Sequence, residues 1–139
     1  MNLVNGKPSS SISIFDRGFL YGDGIFETIL VVDKIPVNLS LHIKRIKAGC
    51  SSLKIKYLDF TVLNKLIVKA LKDETSCVLS ITITRGTAKK RGYNINIGRI
   101  KPNIIISTSK IPKYPNKYIN EGVCTKFSKN ILENNNRFS

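Results

Sequence analysis

Residues 14–30, IFDRGFLYGDGIFETIL, gather Asp16, Asp23, Glu27 and Arg17 with three glycines and four aromatics. Further along, the tetrapeptide HIKR places His42 and Arg45 three residues apart, and Gly49 follows four residues later. At about 100° per residue, Arg45 falls at the border of an apolar helical stripe, with His42 and Gly49 along the same flank. An arginine there, beside a helical glycine that exposes backbone, has the chemistry to hold an anion at a domain edge. Helix geometry by itself reads first as a solvated arginine covering the rim of a core, its methylenes on apolar neighbours. The glycine-rich stretch raises a parallel choice between a tight turn joining two strands and one wall of a binding site.

The elements that must carry these residues are legible from periodicity. NLVNG and SISIF are extended candidates with a turn at Asn5-Gly6. GIFETILVVDKIPVNL reads as a β-branched strand, a turn near Asp33-Lys34 and a return strand. Leu39, Ile43, Ile46, Cys50 and Leu53 recur at helical spacing, with Asn38 or Ser40 as candidate caps. A second helix carries Phe60, Leu63, Leu66, Ile67, Ala70 and Leu71 on one stripe, capped by Asp59. In CVLSITITR the apolar Leu79, Ile81 and Ile83 alternate with Ser80, Thr82 and Thr84, the pattern of a half-buried strand. RGTAKKRGYNINIGRIKP is a long basic loop, NIIISTS a further strand, and KIPKYPNKYINEG a linker. GVCTKFS then opens another strand before a polar tail, so the chain reads as cut short.

Composition narrows the class. The 139 residues suit one domain, and 42% hydrophobic content is enough for a core. No apolar run reaches membrane-spanning length, and MNLVNGKPSSS lacks the apolar centre of a signal peptide, which points away from export and towards the cytoplasm. Cys50, Cys77 and Cys124 are odd in number and widely spaced, and read as buried free thiols in a reducing compartment, with no metal site. The formal charge of +14 invites a nucleic-acid reading. Against it, the lysines are dispersed and no zinc-finger spacing, P-loop or aromatic RNA-binding strand is present. Attraction of small anionic ligands is the milder use of that charge.

Together, DRGFLYGDGIFETI at residues 16–29 and HIKR at residues 42–45 closely resemble the fold-type IV pyridoxal-phosphate (PLP) enzymes, which include aminodeoxychorismate lyases and the branched-chain and D-amino-acid aminotransferases. The resemblance runs along the whole chain. It implies an α+β fold: a two-layer N-terminal domain with a mostly antiparallel sheet and two helices, then the first strand of a second domain. The corresponding segments are residues 1–112, an interdomain linker at 113–121, and the start of a cofactor-binding domain at 122–139. By the same resemblance Arg45 binds the cofactor's phosphate, Phe26 lies near the substrate, and Arg91 and Tyr93 help hold substrate carboxylates. Asp16, Arg17, Asp23 and Glu27 are expected to be structural. FLYGDGIFETI and the RGY at residues 91–93 look most like the lyases, which release pyruvate from 4-amino-4-deoxychorismate to give 4-aminobenzoate for folate synthesis. An aminotransferase is the alternative, and a catalytically inactive basic binding domain is the alternative from another class. A cytoplasmic homodimer acting on a small anionic substrate is the family expectation.

The family's Schiff-base lysine, by this resemblance, falls just after Ser139. Lys126 and Lys129 do not match its position and read as solvated surface charges. The 139-residue chain alone is therefore expected to be catalytically inactive. Incubation with PLP and either 4-amino-4-deoxychorismate or an amino donor and a 2-oxo acid should give no turnover; a measured lyase or transaminase rate overturns the expectation.

Overall fold

In the computed structural model, residues 1–56, 58–88, 92–94 and 100–129 are described. Six strands form one antiparallel sheet: β1 (Asn2–Val4), β2 (Lys7–Pro8), β3 (Gly24–Val32), β4 (Ile35–Pro36), β5 (Cys77–Thr84) and β6 (Asn103–Ser109), in the order β2-β1-β6-β5-β3-β4. Four helices accompany them: α1 (Arg17–Tyr21), α2 (Leu39–Ser52), α3 (Phe60–Leu71) and α4 (Lys117–Asn120). The α+β class and the two long helices match the sequence reading.

The two-residue alternation of the strands sorts side chains onto two faces. One face buries Leu3, Ile29, Val31, Leu79, Ile81, Ile83, Ile104 and Ile106 against Ile46, Cys50, Leu63, Ile67, Ala70 and Leu71 of the helices. α2 packs on β3 and α3 on β6. The opposite face leaves Phe26, Thr28, Leu30 and Val32 of β3 exposed, and among the described residues no long helix lies upon it. β3 is aligned with β5 along its length, from Gly24 opposite Thr84 to Val31 opposite Cys77. On its other side it meets β4 only at Val31 and Val32. Its first half, including Phe26 and Glu27, is therefore a sheet edge.

Turn chemistry follows the sequence. Asn5 and Gly6 have φ of 51° and 80°, and Asp33 and Lys34 have φ of 49° and 67°. Positive φ at both central positions suits the twist of a tight hairpin. Asp59 caps α3, its Oδ1 accepting from the N–H groups of Thr61 and Val62 at 2.8 and 3.2 Å. Asn38 stands at the N-cap of α2 without a side-chain cap bond.

Four readings need correction. SISIF is not a strand: Ser9 Oγ accepts from the Ser11 N–H at 3.2 Å, and Ser13 Oγ from the Phe15 N–H at 3.1 Å. Serine hydroxyls thus take backbone donors that a ladder would need. The turn before β3 contains α1, capped by the Asp16 side chain and closed by Gly22 at φ 63°; Gly24 lies in the strand itself, where a Cβ would stand 2.7 Å from the Ile83 carbonyl. Cys50 and Cys77 are buried free thiols as expected, but Cys124 is exposed. Residues 122–129 form no strand and are exposed, since extended chain becomes a strand only where a neighbouring strand pairs with it. Apart from these four, the segment read as a linker carries the short helix α4.

Ile81, fully buried at the centre of the sheet, tests where the core lies. Ile81→Ala should lower unfolding free energy by about 2–5 kcal/mol, measured by urea denaturation. Val68→Ala, at a 72% exposed position of α3, should change it by no more than about 0.5 kcal/mol.

Candidate functional site

α2 lies close against β3 because Gly49 faces Ile25. A Cβ at Gly49 would come within 3.0 Å of Ile25 Cγ2, tighter than ordinary packing allows. Alternation puts Glu27 on the same face as Ile25, so its carboxylate points at the helix. There it accepts from Arg45 Nε at 2.9 Å and from Arg45 Nη2. His42 Nδ1 lies 2.6 Å from the same Oε2. His42 and Arg45, three residues apart, are neighbours on the helix surface and converge on one acceptor. Glu27 is 6% exposed, whereas the Arg45 side chain is 70% exposed. Burial pushes Glu27 upward, but the hydrogen bonds and charges of Arg45 and His42 outweigh it and hold the carboxyl below its usual range. Glu27 in turn raises Arg45.

A second network fixes α1 and the end of α2. Asp16, with no exposure, accepts from the Gly18 N–H at 2.7 Å, Thr84 Oγ1 at 2.8 Å and Asn103 Nδ2 at 2.6 Å. The first motif is thereby tied to β5 and β6. Asp23 lies between two arginines: Arg17 Nε donates at 2.8 Å and Arg85 Nε at 2.7 Å, both to Oδ2. Arg85 also donates to the carbonyls of Leu53 and Lys54 at 2.6 and 3.0 Å, closing the C-terminal end of α2. Arg17 Nη1 donates to the Gly92 carbonyl at 2.8 Å, and the Gly92 N–H donates to Tyr21 Oη at 3.0 Å. The residues expected to be structural thus hold the framework, Glu27 more directly at the site than foreseen. Arg85 was not singled out from sequence, since a charge ending a regular strand pattern carries no distinctive signal. Glu27 had one: it is the only charged residue in an otherwise apolar and hydroxyl-bearing strand.

Phe26, adjacent to Glu27, projects from the opposite face and is 73% exposed. It borders a groove of about 530 Å³ lined by Ile12, Phe19, Thr82 and Ile105 among others. Tyr93 packs on α1, its ring 5.2 Å from that of Tyr21. Arg91 lies outside the described residues. Lys126 and Lys129 are exposed. Among the described residues no group of His, Cys, Asp or Glu could hold a metal, and no helix is long and apolar enough to cross a membrane.

The donor set at Arg45 fits a phosphate group. Nε and Nη2 are engaged by Glu27, while Nη1 has no partner among the described residues and the guanidinium reaches solvent. A guanidinium keeps its charge at all working pH values and matches the paired oxygens of a phosphate.

Residues 24–138 match the family described as amino-transferase class IV. An aminodeoxychorismate lyase of Vibrio harveyi is 36% identical over 112 residues, 80% of this chain and 40% of that protein. A putative branched-chain-amino-acid aminotransferase of Methanocaldococcus jannaschii is 35% identical over 60% of this chain and 31% of its own length. The crystal structure of 4-amino-4-deoxychorismate lyase from Pseudomonas aeruginosa superposes with a TM-score of 0.79 at 34% identity, covering 88% of this chain and 44% of that one. The chain belongs to the class IV aminotransferase family, and its fold is that of the N-terminal domain of these enzymes. It spans 40% of the length of the Vibrio relative.

Asp23 gives a pH test. Burial acts to raise it, but hydrogen bonds and charge from Arg85 and Arg17 leave it below the ordinary 3.8. A carboxyl depressed in the folded state stabilises above its unfolded pKa, and the contribution is lost as pH falls through the folded value. Asp23→Asn leaves Arg17 and Arg85 largely buried without their counter-ion, and should cost about 3–5 kcal/mol at pH 7. The gap to the parent should narrow below about pH 4, as the parent's own carboxylate protonates. Urea denaturation at a series of pH values measures both, and a gap independent of pH down to full protonation contradicts the assignment.

Proposed function

We propose that this chain forms the phosphate-anchoring N-terminal part of a PLP-dependent aminodeoxychorismate lyase, releasing pyruvate from 4-amino-4-deoxychorismate and leaving 4-aminobenzoate for folate synthesis. The observation that carries the cofactor reading is the Arg45 guanidinium, held by Glu27 on one side and open to solvent on the other. The lyase reading is supported by similarity over 80% of the chain to the Vibrio enzyme and by the Pseudomonas lyase fold. The Methanocaldococcus relative favours the second reading, an aminotransferase built on the same anchor.

When bound, PLP supplies an electron sink for breaking a bond in an amine substrate. Arg45 holds its phosphate by charge-assisted hydrogen bonds. Phe26 and Tyr93 offer aromatic surface to the substrate's unsaturated ring, and Arg91 a cation to a carboxylate. The chain's charge of +14 draws an anionic substrate towards the domain. The family's Schiff-base lysine, which would transfer protons, is not assigned to any of the described residues. A cytoplasmic homodimer, with domain limits at residues 112 and 122, completes the reading.

In a polypeptide that includes that lysine, Arg45→Ala should weaken PLP retention by about tenfold or more, the loss expected for a charged hydrogen bond, with substrate preference unchanged. Equilibrium dialysis measures the retention, and equal affinity in the variant refutes the anchor. Formation of 4-aminobenzoate and pyruvate without an amino acceptor identifies the lyase; amino transfer to a 2-oxo acid identifies the aminotransferase.

A further inference from the structure

On charge alone, Glu27 is a liability beside an anion site. A carboxylate within hydrogen-bonding distance of Arg45 cancels much of the positive potential that a phosphate would feel. It is also placed on the helix-packed face of β3, where carboxylate burial is costly unless saturated. Its retention there calls for a compensating contribution from geometry.

Arginine in solvent has four rotatable side-chain bonds, and ordering them for a ligand costs conformational entropy. At 70% exposure, packing contributes little to that ordering for Arg45. The two-point fork to Glu27 supplies it, since parallel N–H···O bonds from Nε and Nη2 fix the guanidinium plane. This pairing uses one lateral edge of the guanidinium and leaves Nη1 directed elsewhere. The carboxylate is itself braced: the half-buried His42 ring approaches Oε2 from the same helix as Arg45, while β3 is held to β5 from Gly24 to Val31. Rigidity therefore passes from the sheet to Glu27 and from Glu27 to an otherwise free cation.

We propose that Glu27 is a positioning residue for an anion site, fixing the Arg45 guanidinium so that its Nη1 edge receives a phosphate oxygen, with His42 bracing the carboxylate. This rests on the reading of Arg45 as a phosphate anchor, and it makes a prediction of opposite sign to electrostatics. Glu27→Gln removes a negative charge next to an anion site, which by charge alone strengthens binding. If Glu27 acts by position, binding weakens, because an amide has one acceptor oxygen where the carboxylate serves three donors.

The test uses isotope-labelled 139-residue chain and two probes without a reactive aldehyde, pyridoxine 5′-phosphate and pyridoxine. The Arg45 Nε–H signal and the ring signals of His42, the chain's single histidine, are followed by NMR. The expected results are a protected Arg45 Nε–H in the parent, its loss to solvent exchange in Glu27→Gln, and preference for the phosphorylated probe. Glu27→Gln should weaken that probe's binding about tenfold, and Arg45→Ala should abolish the preference. Should Glu27→Gln fail to fold by far-UV circular dichroism, His42→Ala removes the brace while keeping both charges, and should weaken binding about threefold. Equal binding of the two probes by the parent overturns the phosphate reading and the proposal with it. A phosphate preference that Arg45→Ala removes but Glu27→Gln and His42→Ala leave intact or strengthen overturns the proposal alone.

Discussion

A carboxylate cannot sit beside an apolar core without donors to saturate it, and this domain places Asp16, Asp23 and Glu27 in that position within one short stretch of chain. Each is answered from far along the sequence: Asp16 by Thr84 and Asn103, Asp23 by Arg85, Glu27 by His42 and Arg45. The three acids consequently do more than tolerate burial. They set where α1 meets the sheet, where α2 ends, and how α2 lies along β3. The side-chain N and O atoms buried among the described residues all have partners, so the arrangement is closed, and removing any one acid leaves donors without acceptors.

Because β3 is a strand, its neighbours Phe26 and Glu27 must face opposite ways. Because β4 pairs only with the far end of β3, both project at an open edge. One short segment therefore presents an aromatic ring bordering an apolar groove on one side and a charged cluster on the other. On the proposed reading, a ligand with a ring and an anionic group would meet complementary chemistry on the two sides of this one strand, with no loop needed to provide it. Sites built on regular elements hold their geometry better than sites on loops, which suits a residue like Arg45 whose own side chain is largely exposed.

How much of this was readable in advance depends on element length. The stripes of α2 and α3 and the alternation of β5 run for several periods, and their buried residues are those the periodicity named, except at the ends of β5. There Cys77 is also buried, and Thr84, read as polar-facing, is buried with its hydroxyl donating to Asp16. α1 has five residues, too few to display a 3.6-residue period, so only Asp16 at its start and Gly22 at its end betrayed it. SISIF failed because alternation measures side-chain pattern and is blind to serine hydroxyls that take the backbone's donors. Arg45 could be placed on its helix by angle, but angle could not say whether it was solvated or poised. That distinction lay in Glu27, whose signal was a lone charge in an otherwise uncharged strand, and in Gly49, whose missing side chain brings helix and strand together.

The excess of positive charge takes on a different meaning once the acids are located. The chain has nine acidic residues against 23 basic ones. Asp16, Asp23 and Glu27 are committed to the networks above, Asp59 to the cap of α3, and Glu74 to Thr108 Oγ1 at 2.6 Å. The acids most engaged in the fold are thus unavailable to neutralise the surface, and among the described residues most of the lysines are exposed with no acidic partner. Surface charge of this kind adds little to stability, but it raises the local concentration of anions around the domain. If Arg45 is the phosphate anchor proposed above, its fixed geometry adds the selectivity that a diffuse field lacks, since the field attracts phosphates and carboxylates alike while a held guanidinium favours the ligand that matches its free edge.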